Sequence, residues 1–224
     1  GVDVVKLANN HFYDYGQVGV IKTIETCEEF ELLHVGGGRT QDEYRSILYI
    51  KTSEQVLAIL NYCEYEFSVN EYCGANPMDP INVFYDISEA KKNADIIIVI
   101  THGGHERYNL PSPRMKHLYR FFVDCGENAV INHHQHCYSG YEEYNNAIIC
   151  YGLGNFFFEQ IGKSETLEWN KGYMLELNFK ESSMSSFKLL PYYQCLKNSC
   201  QTWLMPREEM NEFEEVIANL NMKI

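Results

Sequence analysis

Three short apolar runs each finish in asparagine or histidine, side chains that ligate borderline metals and, in the case of histidine, move protons near neutral pH. Val4-Val5-Lys6-Leu7-Ala8 leads into Asn9-Asn10-His11, Ile96 to Thr101 leads into His102, and Ala129-Val130-Ile131 leads into Asn132-His133-His134-Gln135-His136. Positions i and i+2 of extended backbone point the same way, so His134 and His136 are expected to present both imidazoles to one point, as metal ligands do. A histidine-rich surface loop is the plain alternative for that segment alone. The other two runs favour a site, because in open α/β sheets function gathers at the carboxyl ends of the strands. One shared centre is therefore expected from Asn10, His11, His102, His134 and His136. Asp3 and Asp95 lie seven residues upstream of Asn10 and His102. Extended chain would carry them roughly 23 Å away, which excludes them as ligands of the same centre.

The elements that must position these residues alternate between strand and helix. After His11, Val18, Ile21, Ile24 and Cys27 recur at helical spacing, with Asp14 expected as the N-cap. Leu32 to Val35 reads as a strand running into a tight turn at Gly36-Gly37-Gly38-Arg39. No Lys-Ser/Thr follows those glycines, so they do not make a phosphate cradle, and His34 is read as structural. Ile47 to Ile50 and Val56 to Tyr62 look like paired strands. Residues 63–80 have no clear period and are read as a long surface excursion, a lid or partner-binding loop. A short helix is expected from Ser88 to Asn93. After His102 comes Gly103-Gly104-His105-Glu106, where glycines admit close backbone approach and His105 and Glu106 either join the site or face solvent. Ser112-Pro113 should open a helix on Met115, Leu118, Phe121, Phe122 and Cys125, ended by Gly126, with His117 on its surface side. Ile148 to Tyr151 continues the strands. Glycine alternating with apolar residues from Gly152 to Phe158 predicts a strand in close backbone contact, in which Asn155 could orient a site histidine. Met174 to Phe179 and Ser185 to Leu190 suggest a hairpin, and Met210, Phe213, Val216, Ile217 and Leu220 an amphipathic helix. The order fits an α/β layered domain.

A length of 224 residues suits one sizeable domain, and a formal charge of −13 argues against nucleic acid or an anionic membrane surface as the main partner. Eight cysteines without a Cys-x-x-Cys pair read mostly as small core residues of a reducing compartment. No apolar run approaches the ~18 residues of a membrane span. The sequence opens with Gly1 and enters a strand almost at once, as a fragment would.

Four stretches taken together resemble the bacterial capsule synthesis family named for CapA (PgsA), the poly-γ-glutamate capsule protein. Asp3 to His11 with Asp14 and Gly16 is similar to its Ala-Asn-Asn-His motif, and His102-Gly103-Gly104-His105-Glu106 to its His-Trp-Gly-x-Glu. Asn132 to His136 resembles its Gly-x-His-Pro-His, and Tyr151 to Phe156 its Tyr-Ser-Leu-Gly-Asn-Phe. The family pattern has Trp at Gly103, Gly at Asn132 and Pro at Gln135. It also has a Gly-Asp strand and an Asn-Leu-Glu that this sequence lacks.

The resemblance implies a layered α/β/β/α metallophosphoesterase-like sandwich, without its first strands, over residues 1–195, with 196–224 as an extension carrying the amphipathic helix. By the same resemblance Asn10, His102, His134 and His136 match metal ligands and His11 a general acid, while Glu106, His105, His133 and Asn155 surround them or meet substrate. Imidazole and amide donors suit Mn, Fe or Zn better than Mg, and the residues present allow one ion at most. Two functions are expected from this. One is a metal-dependent hydrolase acting on a phosphate ester or in assembly of the γ-linked glutamate polymer. The other is a non-catalytic accessory or scaffold of a polymer synthase, with a degenerate metal site. A third reading is a truncated domain completed by strands from elsewhere. The partners implied are polymer synthase components and an anionic polymer. Cysteine usage points to the cytoplasm, and the resemblance to the cell envelope.

Overall fold

Runs of β-branched residues make the centre of the molecule a sheet. The computed structural model describes residues 1–64, 73–158, 169–195 and 201–224. In chain order the elements are β1 (Val4–Lys6), α1 (Gly16–Glu29), β2 (Leu33–Val35), β3 (Gly37–Gly38), α2 (Gln41–Tyr44), β4 (Leu48–Lys51), β5 (Val56–Cys63) and β6 (Gly74–Ala75). There follow α3 (Pro80–Asn93), β7 (Ile96–His102), α4 (Pro113–Cys125), β8 (Ala129–His133), β9 (Tyr141–Tyr144), β10 (Ala147–Cys150), β11 (Lys171–Lys180), β12 (Ser183–Gln194), β13 (Thr202–Leu204) and α5 (Met210–Asn221).

Six strands form the main sheet in the order β4-β5-β7-β8-β10-β9. The four central strands run parallel, and antiparallel β4 and β9 close the two edges. On one face, Ala58, Leu60, Tyr62, Ile97, Val99 and Val130 pack under α3 and α4. The opposite face is covered in two places. Leu7, Ala8 and Phe12, with Val20 and Ile24 of α1, pack against Cys63, while Leu175, Leu177 and Phe187 of the β11–β12 hairpin cover Ala129, Ile148 and Cys150. This is the layered α/β/β/α arrangement expected of the chain. Among the described residues β1 pairs with β2 alone, in a separate parallel sheet of two strands, and β11, β12 and β13 form a third, antiparallel sheet.

The sequence marked α4 correctly. Ser112 Oγ accepts from Met115 N–H at 3.2 Å, Pro113 sits in the first turn, and Gly126 closes the helix with left-handed backbone at φ +117°. Helix α3 departs from expectation, running fourteen residues rather than a short turn from Ser88. Its start is fixed by Asp79, whose Oδ1 accepts from Ile81 and Asn82 N–H at 3.0 Å each, followed by Pro80. The helical period of Val83, Asp86, Ile87 and Ala90 is hidden because one buried position is an aspartate. Asp86 is tolerated there by ion pairing with Arg45 at 2.6 Å and a hydrogen bond from Tyr62 OH at 3.0 Å.

Four further expectations are corrected or bounded. Gly37 and Gly38 are part of a short ladder with Gly74 and Ala75 rather than a free turn. The excursion from Cys63 lies partly outside the described residues, at 65–72, and its remainder holds β6. Residues 151–158 form no regular strand but touch their neighbours through isolated bridges, Tyr138 to Leu153 and Gly154 to Gly172. The close backbone approach inferred from the glycines is present, since a Cβ on Gly154 would stand 2.6 Å from Lys171 O. The hairpin is longer than read, Lys171 to Gln194, and turns on Glu181-Ser182 with φ +49° and +65°. Cys200 lies outside the described residues, and Cys27, Cys63, Cys73, Cys125 and Cys150 carry free thiols.

Candidate functional site

The parallel register places Cys63, His102 and His133 in one row across β5, β7 and β8, at their carboxyl ends. Residues in one row face the same side, so His102 and His133 both turn toward the layer that holds β1. The loop after β1 is tied to the main sheet by Asn61, whose Oδ1 accepts from Ala8 N–H at 2.8 Å while its Nδ2 donates to Ile100 O at 3.0 Å. Gly36 makes this possible, because a Cβ there would stand 2.3 Å from Asn61 Oδ1 and its φ is +83°.

The loop so anchored carries Asn10 to the end of β7, with Asn10 Oδ1 2.9 Å from His102 Nε2. His134 lies beside them, its ring centroid 4.9 Å from that of His102, and His136 lies 6.2 Å beyond His134. The reason given from sequence for pairing His134 with His136 does not hold. β8 ends at His133, and both residues have left-handed backbone, φ +107° and +58°, so strand alternation does not apply to them. They reach one pocket through a turn instead.

That pocket has a volume of about 290 Å³, and Lys6, His102, His133, His134, His136 and Asn155 line it with Phe156 to Phe158. The described residues lining it include no carboxylate. Asn155 Oδ1 accepts from His136 Nδ1 at 2.8 Å. The His136 ring stacks on Trp169 at 4.8 Å and meets Phe158 edge-on at 5.3 Å. His105 and Glu106 are exposed and stand outside the pocket wall, although the Glu106 charge still favours protonation of His134.

Electrostatically the pocket is unusual. The Lys6 Nζ lies 3.0 Å from His102 Nδ1, and burial draws the lysine down to about 8. Burial first, and then the Lys6 charge, push His102 and His133 far below the usual histidine range, while burial also lowers His134. All three imidazoles are neutral at pH 7.

At the rim, His11 Nδ1 donates to Asp14 Oδ2 at 2.8 Å, and His11 Nε2 accepts from Asn10 Nδ2 at 3.2 Å. Asp14 is therefore not the helix cap expected of it. Tyr15 occupies the N-cap of α1, without a side-chain hydrogen bond. The dyad can take a proton at Nε2 and return it, the carboxylate stabilising the imidazolium meanwhile.

The departures from the family pattern knit the site together. Asn132 Nδ2 lies 2.9–3.0 Å from Gly103 O, Gln135 Oε1 and Tyr151 O, and its Oδ1 accepts from Thr101 and Tyr119 hydroxyls at 2.9 and 2.8 Å. One buried amide thus holds three of the loops that build the pocket. At Gly103, Glu64 fills the space of a side chain, a Cβ there standing 2.5 Å from Glu64 Cγ.

Whether these residues suit a divalent metal turns on His102. A ligating Nε2 needs its lone pair, which puts the ring proton on Nδ1, where a ligand histidine normally donates to an acceptor. Here Nδ1 faces an ammonium, so it accepts, and Nε2–H donates to Asn10. His102 is wired the opposite way from a ligand, and a second cation already stands beside it. Among the described residues no group of three or more His, Cys, Asp or Glu could hold a metal ion. The centre as described does not fit a resident divalent metal.

Sequence reasoning missed Lys6, Asp14 as the partner of His11, Trp169 and the Asn132 hub. Lys6 left one signal, a charged residue inside an otherwise apolar strand.

A family model described as bacterial capsule synthesis protein PGA_cap matches residues 1–160. Capsule biosynthesis protein CapA of Bacillus anthracis is 36% identical over 168 residues, 71% of this chain and 41% of its own length. PGA biosynthesis protein CapA of Bacillus subtilis (strain 168) is 33% identical over 193 residues, 84% of this chain and 50% of its own. The chain thus spans half or less of the length of these relatives. Two solved structures share the fold at 15% identity. A hypothetical protein from Thermus thermophilus gives a TM-score of 0.55 over 92% of this chain and 78% of that one. A putative 5'-nucleotidase from Staphylococcus aureus in complex with alpha-ketoglutarate gives 0.59 over 96% and 42%.

Proposed function

The chain belongs to the bacterial capsule synthesis protein PGA_cap family, and we propose that it serves capsule biosynthesis through a phosphoesterase-type hydrolase site at the carboxyl ends of β5, β7 and β8. The observation that carries this reading is the meeting of a proton-handling dyad, His11–Asp14, with a carboxylate-free pocket through one amide, Asn10. A phosphate ester seated in the pocket would bring its leaving oxygen to the rim. There His11, steadied by Asp14, would pass a proton from Nε2 to that oxygen as a water forms the new bond to phosphorus and the ester P–O bond breaks, leaving an alcohol and phosphate. A phosphorylated precursor of the γ-linked glutamate polymer is the substrate class that family membership suggests. It is anionic, which suits a pocket lined by Lys6 and, among the described residues, by no carboxylate.

Turnover of p-nitrophenyl phosphate and its bis-ester tests the chemistry. The expected result is hydrolysis that falls about 100-fold or more in His11→Ala, in line with the usual worth of a positioned acid. An inert protein would leave the accessory reading, in which the pocket holds an anionic capsule component for synthase partners without cleaving it.

A second reading, one Mn, Fe or Zn ion on Asn10, His102, His134 and His136, is favoured by a single observation. His136 Nδ1–H donates to Asn155, which leaves Nε2 with its lone pair facing away from that bond. Metal analysis of the purified protein separates this reading from the first.

A further inference from the structure

We propose that Lys6 is the resident cation of this pocket and that it binds a phosphate oxyanion directly, with no divalent metal on His102. The proposal rests on the reading that the pocket takes an oxyanion, but not on hydrolysis of it.

Three observations carry it. Lys6 Nζ lies at hydrogen-bond distance from His102 Nδ1 and lines the same cavity as His102, His133, His134 and His136. An ammonium has three N–H groups, and the contact with His102 uses one of them. The others are available to a ligand oxygen. Second, that contact fixes His102 as an Nε2–H donor to Asn10, so no lone pair of His102 is left for an ion. A metal there would first have to reverse this tautomer and then endure a neighbouring positive charge. Third, the described wall of the cavity has no Asp or Glu. A divalent ion would find in that wall only neutral donors and one like charge, whereas an oxyanion would find one opposite charge there, the carboxylates of Glu106 and Asp14 standing outside it. In a chain of net charge −13, such a wall is selective for anions by local composition and against the global field.

Lysine serves as a point-charge phosphate binder elsewhere in proteins, and the cavity of about 290 Å³ exceeds a phosphate group in size. Phe156, Phe157 and Phe158, each about half exposed, line the same cavity. The ligand class that fits is therefore a phosphate monoester whose organic part extends over the phenylalanines.

The test is calorimetric titration of inorganic phosphate into the whole chain after dialysis against EDTA. Saturable 1:1 binding in the chelator is expected. Lys6→Met should weaken it at least tenfold, and Lys6→Arg, which keeps the charge, should stay within a few-fold of the original. In a parallel titration of Mn²⁺ and Zn²⁺ without phosphate, the unmodified chain should take up no ion through His102, and Lys6→Ser should acquire one. The proposal is overturned if phosphate binds only once metal is added, if EDTA-treated Lys6→Met binds it as the original does, or if His102→Ala abolishes stoichiometric metal uptake by the unmodified chain. Should Lys6→Met fail to fold, the Lys6→Arg and metal arms decide alone. Phosphate binding without ester turnover would uphold this proposal and remove hydrolysis. Metal-dependent turnover with no phosphate binding in EDTA would do the reverse.

Discussion

Asp14 Oδ2 accepts a hydrogen bond from His11 Nδ1 at 2.8 Å, three residues away on the same loop and at the open rim of the pocket. Both side chains are more than half exposed, at 67% and 52%, so the pair does little for the fold. Asp14→Asn should cut p-nitrophenyl phosphate turnover about tenfold or more while leaving stability within about 0.5 kcal/mol, as surface changes usually do. Parallel kinetics and urea melts check both halves. A matching loss of stability would instead make the pair structural.

Asn132 should be the most costly single polar side chain of the site to remove. It is fully buried, and its loss strands the hydroxyls of Thr101 and Tyr119 together with Gln135. Asn132→Ala is expected to cost about 2–4 kcal/mol in urea unfolding and to weaken ligand binding with it. The double variant with Gln135→Ala should cost less than the sum of the two single changes, because both remove the same bond.

Glu127 sets a pH dependence at the opposite end of β8. Both carboxylate oxygens are buried without a hydrogen-bond partner among the described residues, and burial raises its pKa well above the ordinary carboxylate value. A raised folded value means its stabilising contribution is whole below the unfolded value near 4.5 and is lost as pH rises toward the folded one. His102, His133 and His134 act in the other sense below about 6.5, since their folded values are depressed. The useful readout is therefore the difference between Glu127→Gln and the unmodified chain. Its melting-temperature advantage should grow as pH rises above the ordinary carboxylate value, and a flat difference would show that Glu127 is not held neutral.

Trp169 stacks on His136 and is one of two tryptophans in the chain. A ligand entering the pocket should change its fluorescence. Trp203→Phe should retain the response and Trp169→Phe should lose it. The reverse result would move the binding site to β13.

Much of the site was legible because apolar runs and their terminal residues are local facts. The ends of β7 and β8 and the loop after β1 do meet, and helix α4 begins and ends where Ser112, Pro113 and Gly126 say it should. What escaped depended on contacts between distant segments or on backbone that leaves the extended region. Asp86 hid the period of α3 because its partner Arg45 lies 41 residues away. The face of His134 could not be read by alternation once positive φ turned the chain. Lys6 passed as part of an apolar run because its partner, His102, lies 96 residues on. Membership of the family, by contrast, could be recognised from four short stretches, because their order and spacing survive in one dimension.

Lys6 lies on a two-stranded sheet and Asn10 on the loop after it, while His102 and His133 lie on the six-stranded one, and Asn61 stitches the loop of the first to the strands of the second. The centre is thus assembled across a seam. A slip of even one ångström between the layers would part Lys6 from His102 without disturbing either sheet. Substitutions in the packing beneath α1, remote from every reacting atom, should therefore register first as lost affinity and only later as lost stability.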